Sequence, residues 1–125
     1  MTRELGGMSE GAARYFFTQI LEAVQHCHFN SICHRNLVLE NIQVDENLIV
    51  KFSNFTYASS FKEGNLQGAV GDCKTPEMHA NISYSGKEVD IFQIGVCLFN
   101  MVTNMKPFGQ AIPTDKFYRL IAGSR

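Results

Sequence analysis

The stretch from Val89 to Met105 constrains this chain more than any other. Val89, Ile91, Phe92, Ile94, Val96, Leu98, Phe99, Met101 and Val102 leave little polar face. A helix that is apolar nearly all round belongs in the middle of a core, so the sequence predicts a central helix with other elements packed on every side. The apolar run is too short to span a bilayer, and it carries Gln93 and Asn100, so no membrane span is expected. Thr103, Asn104 and the Lys106–Pro107 step end it, because the residue before a proline is pushed out of helical geometry. With 125 residues, 45% of them hydrophobic, the chain can bury one compact core and not comfortably two.

The elements around that helix follow from periodicity. From Ala12 to about His28 the apolar residues Phe16, Ile20, Val24 and Cys27 share one helical face, while Gln19, Glu22 and Gln25 point to water. Ser9 is a plausible helix start, and Asn30 and Ser31 break the helix. Two short apolar runs, Ile42 to Val44 and Leu48 to Phe52, flank Asp45-Glu46-Asn47, which is turn chemistry, so a small β-hairpin is expected over 42–52. Thr56 to Thr75 has few apolar anchors and holds Gly64, Gly68 and Gly71, which reads as a long surface loop. A last amphipathic helix is expected over 114–122, with Phe117, Leu120 and Ile121 as its apolar residues.

Charge and cysteine usage narrow the partners. A net charge of −1 with acids and bases interspersed gives no footprint for nucleic acid and no acidic tail. Cys27, Cys33, Cys73 and Cys97 are irregularly spaced and follow no signal peptide, which favours free thiols and an intracellular, cytoplasmic setting. His26, Cys27, His28, Cys33 and His34 are all metal-capable, yet Cys27-x5-Cys33 matches no standard zinc spacing, and a helix end followed by a loop accounts for them.

The order of the short motifs then points to a family. "YFFTQILEAVQHCHFNSICHRNLVLEN" resembles the long helix and catalytic loop of a eukaryotic protein kinase. "VKFSNFTYAS" is similar to the strand and metal-binding motif that follow, and "TPE" at Thr75 to Glu77 to the end of an activation segment. "YSGKEVDIFQIGVCLFNMVTNMKPF" resembles the buried central helix of the large lobe, and "IPTDKFYRLIAGSR" the next helix, in the style of calmodulin-dependent and AMP-activated Ser/Thr kinases. The resemblance implies a mainly α fold of the α+β type. It implies one partial kinase-like domain over 1–125, with about four helices, one small hairpin and no N-terminal lobe. Its parts are a long helix and catalytic loop over 12–41, the hairpin, a metal motif and activation segment over 53–77, the central helix over 89–105 and the last helix.

The same resemblance identifies what has been replaced. Such a loop needs an acid to accept the substrate hydroxyl proton and a magnesium clamp on the phosphates. The acid's position is Asn36, an amide of the same shape that carries no charge and is no useful base. Val38 stands at the lysine position, while Asn41 is kept as a possible second metal ligand. The metal aspartate is Asn54, a weak ligand for a hard cation, and Gln43 puts a polar side chain under the adenine position. His34, Arg35, Phe55, Glu77, Asp90 and Gly95 match positions that are mostly architectural: His34 stacks on Phe55, Asp90 accepts backbone N–H groups of the loop, and Glu77 pairs with an arginine beyond residue 125. Arg35 is either paired with a phosphorylated activation segment, or solvated or locally paired.

Three readings follow. The first is a catalytically inactive large lobe that binds other proteins through Phe108, Phe117, Tyr118 and the loop near Gly71 to Met78, and needs no cofactor. The second is a fragment of a Ser/Thr kinase that transfers the γ-phosphate of Mg-ATP to protein hydroxyls. The third is a decayed gene product, which would leave apolar surface uncovered.

Overall fold

A computed structural model describes residues 3–4, 7–60 and 65–122. It is mainly helical, with four helices and small antiparallel sheets among the described residues. In chain order the elements are β1 (Arg3–Glu4), α1 (Glu10–Phe29), β2 (Ile32–Cys33), a 3-10 turn (Leu39–Asn41), β3 (Ile42–Val44), β4 (Val50–Phe52), β5 (Ser59–Ser60), α2 (Pro76–His79), α3 (Gly86–Thr103) and α4 (Lys116–Ala122).

Local chemistry sets the helix limits. Ser9 caps α1 by accepting the Ala12 N–H at 3.3 Å, and the Arg14–Glu10 pair at 2.8 Å braces the first turn. Asn104 ends α3 in the left-handed conformation at φ 58°, which an asparagine tolerates, so the helix stops at Thr103 and not at Met105. Asp115 shortens α4 from the expected start at Thr114. Its Oδ1 accepts the N–H groups of Phe117 and Tyr118 at 3.0 and 2.9 Å, and its Oδ2 accepts those of Gly109 and Gln110. These N–H donors, with Tyr118's the strongest, hold the Asp115 carboxyl below the usual range.

The expected hairpin is β3 and β4, paired Ile42 to Phe52, Gln43 to Lys51 and Val44 to Val50. Asp45 closes its turn by accepting the Asn47 and Ile49 N–H groups at 2.8 and 3.0 Å. The strand β1 adds to the other edge of β3, with Glu4 opposite Gln43. Gln19 does not face water: its amide accepts the Val50 N–H at 2.9 Å and donates to the Leu48 carbonyl at 3.0 Å, clamping the hairpin to α1.

The main core joins Ile20 and Val24 of α1 to Leu37, Ile42, Val44 and Val50, and to Ile94, Cys97 and Met101 of α3. A smaller cluster packs Met78, Tyr84 and Val89 with Leu66 and Val70. The expectation for α3 needs correction. It starts at Gly86, three residues early, and its buried residues Gly86, Val89, Asp90, Gln93, Ile94, Cys97 and Met101 form one stripe. Ile91, Phe99 and Val102 are exposed, Ile91 by 52%. The described residues bury the stripe that faces α1, β2 and the Met78–Tyr84 cluster, Phe108 lies against Phe92, and Ile91, Phe99 and Val102 stay exposed, so α3 is central by composition and one-sided by packing.

The loop from Thr56 to Thr75 is also more ordered than its sequence implies. Ser59–Ser60 pairs antiparallel with β2, and Leu66 bridges to Tyr84 through two backbone hydrogen bonds of 2.9 Å. Residues 61–64, Gly64 among them, lie outside the described residues. After this segment Thr75 caps α2, accepting the Met78 N–H at 3.4 Å.

Gly95 gains nothing from being glycine among the described residues. A Cβ there would meet no atom within 4 Å, so the architectural role expected of it is not visible. Glycine inside a helix costs conformational entropy, so Gly95→Ala should raise stability by about 0.5–1 kcal/mol. The readout is a higher urea midpoint with an unchanged slope. A lowered midpoint would mean that something packs closely against that face in solution.

Candidate functional site

The loop from His34 to Asn41 lies between β2 and β3, and Asp90 of α3 organises it. The Asp90 carboxylate accepts the His34 N–H at 3.0 Å, the Arg35 N–H at 2.8 Å and the His28 Nε2–H at 2.8 Å. These donors make a buried anion tolerable where burial alone would penalise it. His28 is therefore a partner of Asp90. His34 spends its ring on the loop too: Nδ1 accepts the Asn36 N–H at 3.1 Å, which leaves Nε2–H to donate to the Ser53 carbonyl at 2.8 Å. Among the described residues no three His, Cys, Asp or Glu side chains gather as a metal site needs.

Arg35 adopts a left-handed backbone, φ 69°, which turns its side chain toward the activation segment. Its Nε donates to the Tyr57 carbonyl at 2.8 Å and its guanidinium to the Tyr84 hydroxyl at 3.0 Å. Tyr84 in turn donates to the Gly68 carbonyl at 2.6 Å. Both Arg35 contacts are local pairings within the unmodified chain.

Asn36 is 1% exposed, and residue 72 meets both polar ends of its amide. The Asp72 N–H donates to Asn36 Oδ1 at 2.9 Å, and Asn36 Nδ2 donates to Asp72 Oδ2 at 3.2 Å. Asn41 is buried in the 3-10 turn, and its Nδ2 donates to the Asn36 carbonyl at 2.9 Å. Gln93, fully buried in α3, ties three strands of chain together. Its Oε1 accepts the Leu37 N–H at 2.8 Å, and its Nε2 donates to the Cys73 carbonyl at 2.7 Å and the Arg35 carbonyl at 3.1 Å.

Asn54 sits apart from these residues on the exposed side of the loop that follows β4. It is left-handed at φ 57°, and its Oδ1 accepts the Thr56 hydroxyl. Phe55, half-exposed, stacks edge-on against His34 with ring centroids 4.5 Å apart. Gln43 lies half-buried in β3 between β1 and β4. Glu77 is half-buried in the first turn of α2. Its expected arginine partner lies outside the described residues.

Beside the loop opens a cavity of 650 Å³, lined by Val38, Leu39 and Glu40, by Asp72, Cys73 and Lys74, and by the 104–111 turn with Phe108. Its two thiols are protonated walls, not nucleophiles. Burial pushes Cys97 up to about 12, with Cys73 and Glu40 adding to it, and burial raises Cys73 as well. Phe108 packs on Tyr118 at 5.3 Å and on Phe92 at 6.1 Å, so both proposed contact residues are partly spent on this stack. Phe117 is exposed, and Met78 is buried in the smaller cluster.

A buried aspartate receiving the amides of a His-Arg loop, followed by a hairpin and a stacked Phe, occurs here in the order the motifs implied. The chain also matches the protein kinase domain family over residues 1–124. It belongs to the protein kinase family.

Its relatives are Ser/Thr kinases. It is 42% identical over 123 residues to a probable serine/threonine-protein kinase MARK-B of Dictyostelium discoideum, covering 94% of this chain and 17% of the relative. It is 36% identical over 122 residues to the sucrose non-fermenting protein kinase 1 of Fusarium virguliforme, covering 95% and 18%. A carbon catabolite-derepressing protein kinase of Saccharomyces cerevisiae is 40% identical over 110 residues, covering 85% and 17%. The chain thus spans less than a fifth of the length of these kinases.

Sequence reasoning missed Asp72 and Gln93, the two residues that fasten the kinase loop to the segment after it. Asp72 gave no local signal, because its partner is 36 residues away. Gln93 did give one: a polar side chain amid Phe92 and Ile94 in a core helix must find hydrogen bonds.

Proposed function

We propose that this chain is a protein-kinase-fold domain that transfers no phosphate and acts by binding other proteins. One observation carries the reading. At two of the three positions where the family handles proton and metal, Asn36 and Asn54, a neutral amide stands in place of an acid, while Asn41 is the family's own residue, and all three side chains are engaged in hydrogen bonds within the chain. An amide accepts no proton at neutral pH. Magnesium prefers anionic oxygen and sheds water reluctantly, so this donor set does not fit the family's magnesium-nucleotide. Val38 supplies no charge for a transferred phosphate.

The partner surface is the α4 side, where Phe117, Leu120 and Ile121 are exposed beside the Phe108–Tyr118 stack. An intracellular setting is supported by four free thiols, and among the described residues no helix is long and apolar enough to cross a membrane.

The test uses the purified chain with ATP, magnesium or manganese, and a generic Ser/Thr substrate peptide. We expect no phosphate incorporation above the blank and no change in melting temperature with the nucleotide. A ligand at a hundred times its dissociation constant would add about 2.7 kcal/mol, which is easily seen. Turnover that disappears on Asn41→Ala would overturn the reading.

A second reading is favoured by the coverage: the chain matches under a fifth of each related kinase, as a piece of a longer Ser/Thr kinase would. It predicts phosphate transfer to protein hydroxyls when the chain is joined to an ATP-binding small lobe. A cooperative melt of the chain alone speaks against a decayed product, whose uncovered apolar surface would favour aggregation.

A further inference from the structure

The contact between Asn36 and Asp72 is a matched pair, not a packing accident. A primary amide offers a donor at one end and an acceptor at the other. Residue 72 offers their complements, a carboxylate oxygen for Asn36 Nδ2 and a backbone N–H for Asn36 Oδ1. A carboxylate at position 36 would offer two acceptors, and one of them would face the Asp72 carboxylate at hydrogen-bond distance.

The neighbouring backbone is shaped for this approach. Gly71 holds φ 83°, and a Cβ there would lie 2.8 Å from Asn36 Oδ1 and 3.1 Å from the Arg35 carbonyl. One residue beyond Asp72, the Cys73 carbonyl accepts the Gln93 Nε2–H that also reaches Arg35. Residues 71–73 are thereby zipped onto residues 35–37, with the buried amide of Asn36 at the centre and the exposed side of Asp72 toward solvent.

We propose that the Asn36–Asp72 pair is a latch. It fixes the activation segment on the catalytic loop and plugs the space in front of residue 36 where an acceptor hydroxyl would have to stand. The amide at 36 is thus specified by Asp72, and an acid can be restored there only if Asp72 changes with it. The inference rests on the reading of the loop as inactive and adds what keeps it so.

The test is a four-member cycle in the full chain: wild type, Asn36→Asp, Asp72→Asn, and both together. Urea unfolding at pH 7 measures stability, and amide hydrogen exchange follows residues 72–75. Asn36→Asp buries an anion against an anion, so we expect its unfolding constant to rise about tenfold to a hundredfold. Asp72→Asn keeps an acceptor for Asn36 Nδ2 and loses only the charge, so less than about tenfold is expected. In the double variant the amide and the acid have exchanged places. The carboxylate now at position 36 accepts both the backbone N–H and the side-chain amide N–H of position 72, and stability should return to within about threefold of wild type. Exchange at 72–75 should speed up about tenfold in Asn36→Asp and slow again in the double variant.

If Asn36→Asp alone fails to fold while the double variant folds, the latch is supported. If both fail, or if Asn36→Asp is as stable as wild type, or if the double variant is no more stable than the sum of the single effects, the latch is wrong. The cycle does not read phosphate transfer. Turnover by the wild-type chain would sink the inactive reading and with it the plug, leaving only the Asn36–Asp72 coupling that the cycle measures, whereas an uncoupled cycle would sink the latch and leave the inactive reading standing.

Discussion

Asp90→Ala should destabilise the domain by about 3–5 kcal/mol, the range for leaving a buried polar network without its anion. Asp90 is 1% exposed and receives three donors, the backbone N–H groups of His34 and Arg35 and the His28 ring. Alanine removes the carboxylate acceptor from all three, and the His34 N–H is left buried without it, at about 1–3 kcal/mol before relaxation. A small domain holds only about 5–15 kcal/mol in all, so the variant should sit at the edge of folding. Asp90→Asn separates charge from shape. Its amide keeps one acceptor oxygen but turns an N–H₂ toward at least one of the same donors, so it should lose about half as much. Urea melts of both variants, followed by far-UV circular dichroism, decide the matter. An Asp90→Ala protein within about 1 kcal/mol of wild type would mean that water replaces the carboxylate, and that Asp90 does not organise the loop.

The particular residues show what a sequence of this kind discloses. The long helix and the hairpin were readable because their information is local. Phe16, Ile20 and Val24 recur at helical spacing, and Asp45 closes its own turn. β1, β5 and α2 were not readable. The two strands are two residues long and exist through partners far along the chain, Val44 for Arg3 and Cys33 for Ser59, and α2 is a four-residue turn behind the Thr75 cap, too short to show a period. The packing of α3 was misread for a related reason: hydropathy reports which residues can be buried, not which neighbours are there to bury them. In the site, Asn36, Asn41 and Asn54 stood out because motif order marks their positions. What surrounds them did not, because Asp72 and Gln93 act across 20 to 58 residues of chain.

Gly86→Ala should destabilise the domain by up to about 2 kcal/mol, although it adds only one methyl group. Gly86 is the first residue of α3 and lies against β2, where a Cβ would overlap Cys33 Sγ and fall 2.8 Å from Cys33 Cβ and 3.0 Å from Leu66 Cδ1. The contacts are buried. Cys33 is fully enclosed, and its thiol donates to the Ser59 carbonyl at 3.3 Å, so it cannot swing aside without losing that hydrogen bond and displacing its neighbours. Overpacking of this kind costs about 1–3 kcal/mol, and the cost should exceed the gain of about 1 kcal/mol that alanine brings to a helix in open space. Gly95→Ala, in the same helix with empty space around it, is the internal control with the opposite sign. Cys33→Ala removes the Sγ atom that makes the closest contact. On its own it should destabilise by leaving a small void, and in combination with Gly86→Ala it should recover part of the loss, a coupling of about 0.5–3 kcal/mol. The recovery should be incomplete, because the β-carbon of residue 33 remains at 2.8 Å. Strict additivity of the two changes would show that α3 simply shifts away from β2. Such a shift would also move Asp90 and Gln93, the two residues of α3 that hold the loop, so it would appear as faster amide exchange at His34 to Leu37 in Gly86→Ala and not in Gly95→Ala.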